Sequence, residues 1–165
     1  MTGVPAPSAG SWAGAAVSAV VSAVCYNGGR QERPKGGGPV GTWGSGNFDS
    51  DTAADHLSGI TGRLVSEIEE AMAGDPVGLE PDEYDGVAVP CNVELLCLMA
   101  EQGYVGAGVP EPAVVEKWKK TFMDVWERTI DGLEPGQGYK EDRRAELIRT
   151  FDRLSSLAGR EHARE

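Results

Sequence analysis

"PAVVEKWKKTFMDVWERTID", residues 112–131, sets Val115, Trp118, Phe122, Val125, Trp126 and Thr129 three or four positions apart, with Lys, Glu, Asp and Arg between them. This is the period of an α-helix with one bulky face, and a face that large needs other helices or a sheet to cover it. Three further stretches carry a helical pattern. Residues 51–73 place Leu57, Ile60, Leu64, Ile68 and Ala71 on one stripe, with Gly59 and Gly62 off it, each weakening the helix by roughly 1 kcal/mol relative to Ala. Residues 87–102 carry Cys91, Leu95, Leu98 and Met99 on one side and are apolar nearly all round, which predicts a central position, with Pro90 in the first turn. Residues 140–158 repeat the spacing with Ile148, Phe151, Leu154 and Leu157 or Ala158 against an outer face of Arg, Glu and Asp.

Between these stretches lie "GDPVGLEPDEYDG", "GYVGAGVPEP" and "GLEPGQG", which are turn-forming by composition. Short connections favour antiparallel neighbours, and no strand run or internal repeat competes with the helical pattern. The expected fold is all-α, a compact bundle of about four amphipathic helices preceded by a Gly/Trp-rich loop. The 165 residues suffice for one domain with a core that needs no staple.

Residues 1–39 differ in character, being rich in Gly, Ala, Pro, Ser and Val. "WAGAAVSAVVSAVC", from Trp12 to Cys25, has the length of a signal-peptide core and is too short to span a bilayer. No Lys or Arg precedes it, and Val24 is a poor residue ahead of Cys25 for lipoprotein-type cleavage, so export is not the reading adopted. "NGGRQERPKGGGP" has the composition of a flexible linker. The organisation expected is a flexible or non-native extension over 1–39, a helical domain over 40–158 and a polar tail over 159–165.

The formal net charge is −11 and the pI about 4.6, so the averaged field repels nucleic-acid backbones and anionic membrane surfaces and attracts basic proteins or cations. Direct nucleic-acid and membrane binding are therefore not expected. Cys25, Cys91 and Cys97 are an odd number with no C-x-x-C pair, which suits the reducing cytoplasm better than a disulfide scaffold.

"GTWGSGNFDSDTAADHLSGI", residues 41–60, is the stretch most suggestive of a site. A phosphate loop is excluded by the lack of a preceding strand, the lack of a following Lys and the acids close by. As a helix start, Asp49 or Asp51 serves as N-cap and first-turn carboxylates favour the positive end of the helix dipole. With Asp49 as cap, Phe48 would staple over Ala53, and Trp43 and Phe48 would tuck the glycine loop, Gly44 and Gly46 included, against the bundle. As a cation site, Asp49, Asp51 and Asp55 form a D-x-D-x-x-x-D array of hard oxygen donors. It is not an EF-hand, because the twelfth position, counting from Asp49, is Ile60. His56 flanks the apolar stripe and reads as a boundary core residue rather than a ligand or base. Capping is the adopted reading, with no metal and no cofactor.

The same residues resemble the opening of domain-of-unknown-function family 4259, small bacterial proteins with a G-x-W-G-x-G-x-F-x-x-D-x-A-x-D pattern. Gly41, Trp43, Gly44, Gly46, Phe48, Asp51, Ala53 and Asp55 fill it. The similarity continues through "ELLCLMAE", "WKKTFMDVWERTI" and "RAELIRTFDRL", although only the opening is specific. Members begin with Met where this chain has Val40, and a GTG codon is read as Val internally but as Met at a bacterial start. The hypothesis that follows is that residues 1–39 come from a wrongly placed start; native peptides from upstream of Val40, found by mass spectrometry, would refute it. Removing them takes Lys and Arg from 15 to 12 and the acids from 26 to 25, so the charge becomes 12 − 25 = −13.

The resemblance implies no activity. The expected function is a non-enzymatic interaction module binding a basic protein partner, immunity- or antitoxin-like, with Glu80, Asp82, Glu83 and Asp85 as the candidate binding acids. The alternative is a divalent-cation-binding protein or metal-dependent enzyme using Asp49, Asp51 and Asp55, with His56 as acid or base. A structural subunit using Trp118 and Trp126 at an interface is a third reading, set aside because a four-helix core needs those side chains. No pattern in the chain fixes its oligomeric state.

Overall fold

The computed structural model describes residues 41–163. The amino-terminal extension, its apolar stretch from Trp12 to Cys25 and the domain start at Val40 lie outside the described residues. The elements in chain order are α1 (Asp51–Ala73), a 3-10 turn (Pro76–Leu79), α2 (Tyr84–Glu101), α3 (Pro112–Thr129), a second 3-10 turn (Ile130–Leu133) and α4 (Tyr139–His162). The described residues form an all-α bundle of four helices, with no strand beyond one isolated bridge between Thr42 and Ser50.

α2 lies between α1 and α4, and α3 packs on the other side of α4. The Pro76–Leu79 turn touches α1, α2 and α3 and fills the thinner seam between α1 and α3 with the buried Leu79. Phe122 of α3 meets Phe151 of α4 with ring centroids 5.7 Å apart, and Trp118, Trp126, Ile68, Val93, Leu147 and Leu154 close around them. Each large side chain buried in this way contributes about 2–3 kcal/mol of transfer free energy. The aromatic face of α3 is thus core, as its spacing implies.

α1 runs unbroken over the expected span, because Gly59 and Gly62 face open space and the helix is held by the stripe below them. Thr61 is buried on that stripe and satisfies its hydroxyl on the Leu57 and Ser58 carbonyls, both at 3.2 Å. α3 ends at Thr129, and the next residue, Ile130, opens the second 3-10 turn and is buried.

Two expectations about α2 are corrected. The helix begins at Tyr84, so Pro90 is its seventh residue and sits inside the helix, buried, rather than in the first turn. Its buried face is Gly86, Val89, Pro90, Val93, Leu96 and Cys97, whereas Cys91, Leu95 and Leu98 point outward. An apolar surface on every side gives periodicity nothing to phase on, so the core side is chosen by α1 and α4. At the carboxyl end α4 continues through Gly159 and Arg160 to His162, which shortens the expected tail.

Polar side chains tie the helices along their margins. Arg153 of α4 reaches Glu94 at 2.5 Å and Glu101 at 2.6 and 2.7 Å on α2, while Asn92 of α2 donates to Glu67 of α1 at 3.0 Å. Lys119 pairs with Asp152, Ser155 donates to Glu116 and Arg144 pairs with Glu127 across α3 and α4.

Candidate functional site

The loop over residues 41–50 is built from its glycines and one carboxylate. The Trp43 amide donates to the Asp49 carbonyl at 3.0 Å and the Asp51 amide to the Gly41 carbonyl at 2.7 Å, so the loop closes on itself at the entry to α1. Inside it, the Gly46 amide donates to Asp49 Oδ2 at 2.8 Å. A Cβ on Gly44 would stand 2.2 Å from that oxygen, and one on Gly46 2.8 Å. A side chain at either position would have to displace the Asp49 carboxylate.

This use of Asp49 corrects the expected cap. Ser50 is the N-cap of α1, with extended backbone, and its hydroxyl accepts from the Ala53 amide at 3.2 Å. Asp51 is the first helical residue and favours the dipole end without capping it. Phe48 does not staple over Ala53; its ring stacks on Tyr104, with centroids 4.2 Å apart and planes inclined at 24°. Trp43 is half-buried, as a tucked anchor should be.

Tyr104 belongs to the connection between α2 and α3, and Gly106 brings the backbone of that connection against α1. Its φ is +90°, and a Cβ there would stand 2.1 Å from the Ala54 carbonyl oxygen. The neighbouring Ala107 is buried. The two loops thus form one end of the bundle, with the aromatic pair at its surface.

Asp55 and His56 are exposed on α1, so His56 is not the boundary core residue expected; Leu57 beside it takes that place. The apolar stripe runs through Leu57, Thr61 and Ile68, which turns His56 outward. Asp49 is directed to Gly46 while Asp51 and Asp55 face solvent, and among the described residues no three His, Cys, Asp or Glu side chains gather as a metal site.

Glu80, Asp82, Glu83 and Asp85 surround the start of α2. Asp82 and Glu83 are exposed, Glu80 and Asp85 half-buried, and Asp85 lies in the first helical turn, where the dipole favours a carboxylate. Glu83 is the N-cap residue without a side-chain cap bond. A groove of about 240 Å³ lies between α3 and α4. Two of its cations are taken, Lys119 by Asp152 and Arg144 by Glu127.

Three titrating groups are displaced where α2 meets α4. Hydrogen bonds from Arg153 hold the Glu101 carboxyl below its usual range, and Glu101 in turn raises the guanidinium. Burial pushes the Cys97 thiol up to about 11, against the attraction of Arg153, and its Sγ lies 3.9 Å from the Thr150 carbonyl. Neither Arg153 nor Tyr104 stands out in the sequence, since each gains its role from a partner far along the chain. No helix among the described residues is long and apolar enough to cross a membrane. No family model, curated protein or solved structure matches the chain.

Proposed function

We propose that the chain is a non-enzymatic interaction module, immunity- or antitoxin-like, whose acidic end binds a basic protein partner. The observation that supports this reading is a contrast between two sets of acids. Glu94, Glu101, Glu127, Asp131, Glu146 and Asp152 each meet a Lys or Arg of the bundle. Glu80, Asp82, Glu83 and Asp85 meet none among the described residues, as is true of dispersed surface acids such as Glu69, Glu70 and Glu111, and they differ from those in crowding one short loop. Carboxylates left unneutralised at one end of a chain with net charge −11 give a field that steers a basic surface and fixes its register.

The test is co-expression with the product of the adjacent reading frame, followed by affinity measurement at low and high salt. The expected result is a complex that weakens with salt and is lost when Glu80, Asp82, Glu83 and Asp85 are changed to Gln and Asn. A complex indifferent to both changes would remove the acidic end from the reading.

A further inference from the structure

Five exposed side chains follow one another along the outer side of α2: Tyr84, Val87, Cys91, Leu95 and Leu98. They are the only exposed residues between Tyr84 and Leu98, and none carries a charge. Tyr84 is 83% exposed and Leu95 46%. The outward residues of α1, α3 and α4 include acids and bases in every turn or two, as a solvated helix face does. A helix apolar all round is ordinarily covered all round.

We infer that this face of α2 is covered by a second copy of the chain, with the two α2 helices antiparallel across a two-fold axis at Cys91. The first support is the spacing. The five residues stand three, four, four and three positions apart, which is the same sequence of steps from either end. An axis through Cys91 therefore sets Tyr84 against the partner's Leu98, Val87 against the partner's Leu95 and Cys91 against the partner's Cys91. Every knob finds an apolar counterpart, as a self-complementary two-fold contact requires.

Charge is the second support. The chain as a whole repels its own copies at −11, yet the two acids on the margin of this face, Glu94 and Glu101, are already held by Arg153. The five side chains of the face are themselves uncharged, and Arg153 offsets half of the acid charge on their margin. Asp82, Glu83 and Asp85 have no counter-ion among the described residues and sit at its amino-terminal end, whereas Arg153 and Arg160 act on Glu101 at the other. A parallel pair would stack the acidic ends on each other. The antiparallel pair separates them by about 20 Å at 1.5 Å per residue, more than two Debye lengths at physiological salt.

Size is the third. A stable pair takes about 800 Å² from each partner. An 18-residue helix about 27 Å long supplies the apolar centre of such a patch, and the shoulders of α1 and α4 supply its rim. The pairing does not require the proposed basic partner.

The test is sedimentation of the full chain over a wide concentration range, with Leu95→Glu and, as a second variant, Val87→Glu; Ser156→Glu on the outside of α4 is the control. Thermal melts by circular dichroism verify that each variant is folded. The expected result is a monomer–dimer equilibrium whose dissociation constant rises tenfold or more in either α2 variant and is unchanged in the control. Copper-phenanthroline oxidation in air should cross-link a Cys25→Ser chain through Cys91 and fail in a chain carrying both Cys25→Ser and Cys91→Ser. A chain that is monomeric at every concentration, or a dimer untouched by both α2 variants, overturns the inference. A dimer that responds to those variants but gives no Cys91 cross-link overturns the antiparallel arrangement.

Discussion

Arg153 of α4 grips Glu101 of α2 through two parallel hydrogen bonds, Nε to Oε1 at 2.7 Å and Nη2 to Oε2 at 2.6 Å. The fork matches the carboxylate in geometry as well as charge. Because the folded chain holds Glu101 below its ordinary value of 4.5, the stabilisation is complete above that pH and is lost as pH falls through the lowered value. Glu101 is 38% exposed, and water screens the pair, so the loss is at most about 1 kcal/mol. Urea denaturation between pH 6 and 3 should show stability falling with acid, and Arg153→Met should flatten that fall. An unchanged slope in the variant would assign the acid sensitivity to other carboxylates.

Phe122 and Phe151 are both fully buried and touch at the centre of the α3–α4 contact. Phe122→Ala should cost about 3–5 kcal/mol in chemical denaturation, and Phe122→Leu much less, since most of the volume is kept. A loss under 1 kcal/mol for the alanine variant would mean that the pair is not at the heart of the core.

In the loop ahead of α1, Gly44 and the Asp49 carboxylate compete for the same space. Gly44→Ala should displace the carboxylate from the Gly46 amide and cost about 1 kcal/mol, as should Asp49→Ala by removing the acceptor. The double variant should cost little more than Asp49→Ala alone, a coupling that a double-mutant cycle measures directly. Additive costs would show that the two residues act independently.

The Cys97 thiol, raised from 9.0 to about 11, favours the fold in its protonated form. That contribution is present below pH 9 and is lost as pH rises toward 11, on the order of 2 kcal/mol in full. Cys97→Ala should flatten the alkaline limb of the stability curve. In the dilute, monomeric chain at neutral pH, a thiol reagent should label the exposed Cys91 and leave the buried Cys97 unmodified until unfolding. Equal labelling of the two would contradict the burial.

α3 was legible from sequence because its bulky residues occupy one stripe and its charges the other, so the phase of the helix follows from the pattern alone. α2 was legible as a helix but not in phase, since either side could have served as core. Asp49, Ser50 and Asp51 are three adjacent residues able to cap α1. The choice fell to Ser50 because the Gly44–Gly46 turn captures the carboxylate of Asp49. The Phe48–Tyr104 stack joins residues on opposite sides of two helices, and local spacing holds no trace of it. The acids before α2 were visible as a cluster, but their lack of a Lys or Arg partner among the described residues emerges only from the fold.

The fastening of the amino-terminal loop has a bearing on how the protein opens. Its ties to the rest include a half-exposed ring stack and the backbone bond from Asp51 to Gly41 at the entry to α1, neither of them shared with the Phe122–Phe151 core. Such a segment can release while the bundle stays intact, as a low-energy cooperative unit of its own. In native-state hydrogen exchange, the Trp43 and Gly46 amides should therefore exchange through local opening and show little dependence on denaturant, whereas Val93 and Phe122 should wait for global unfolding.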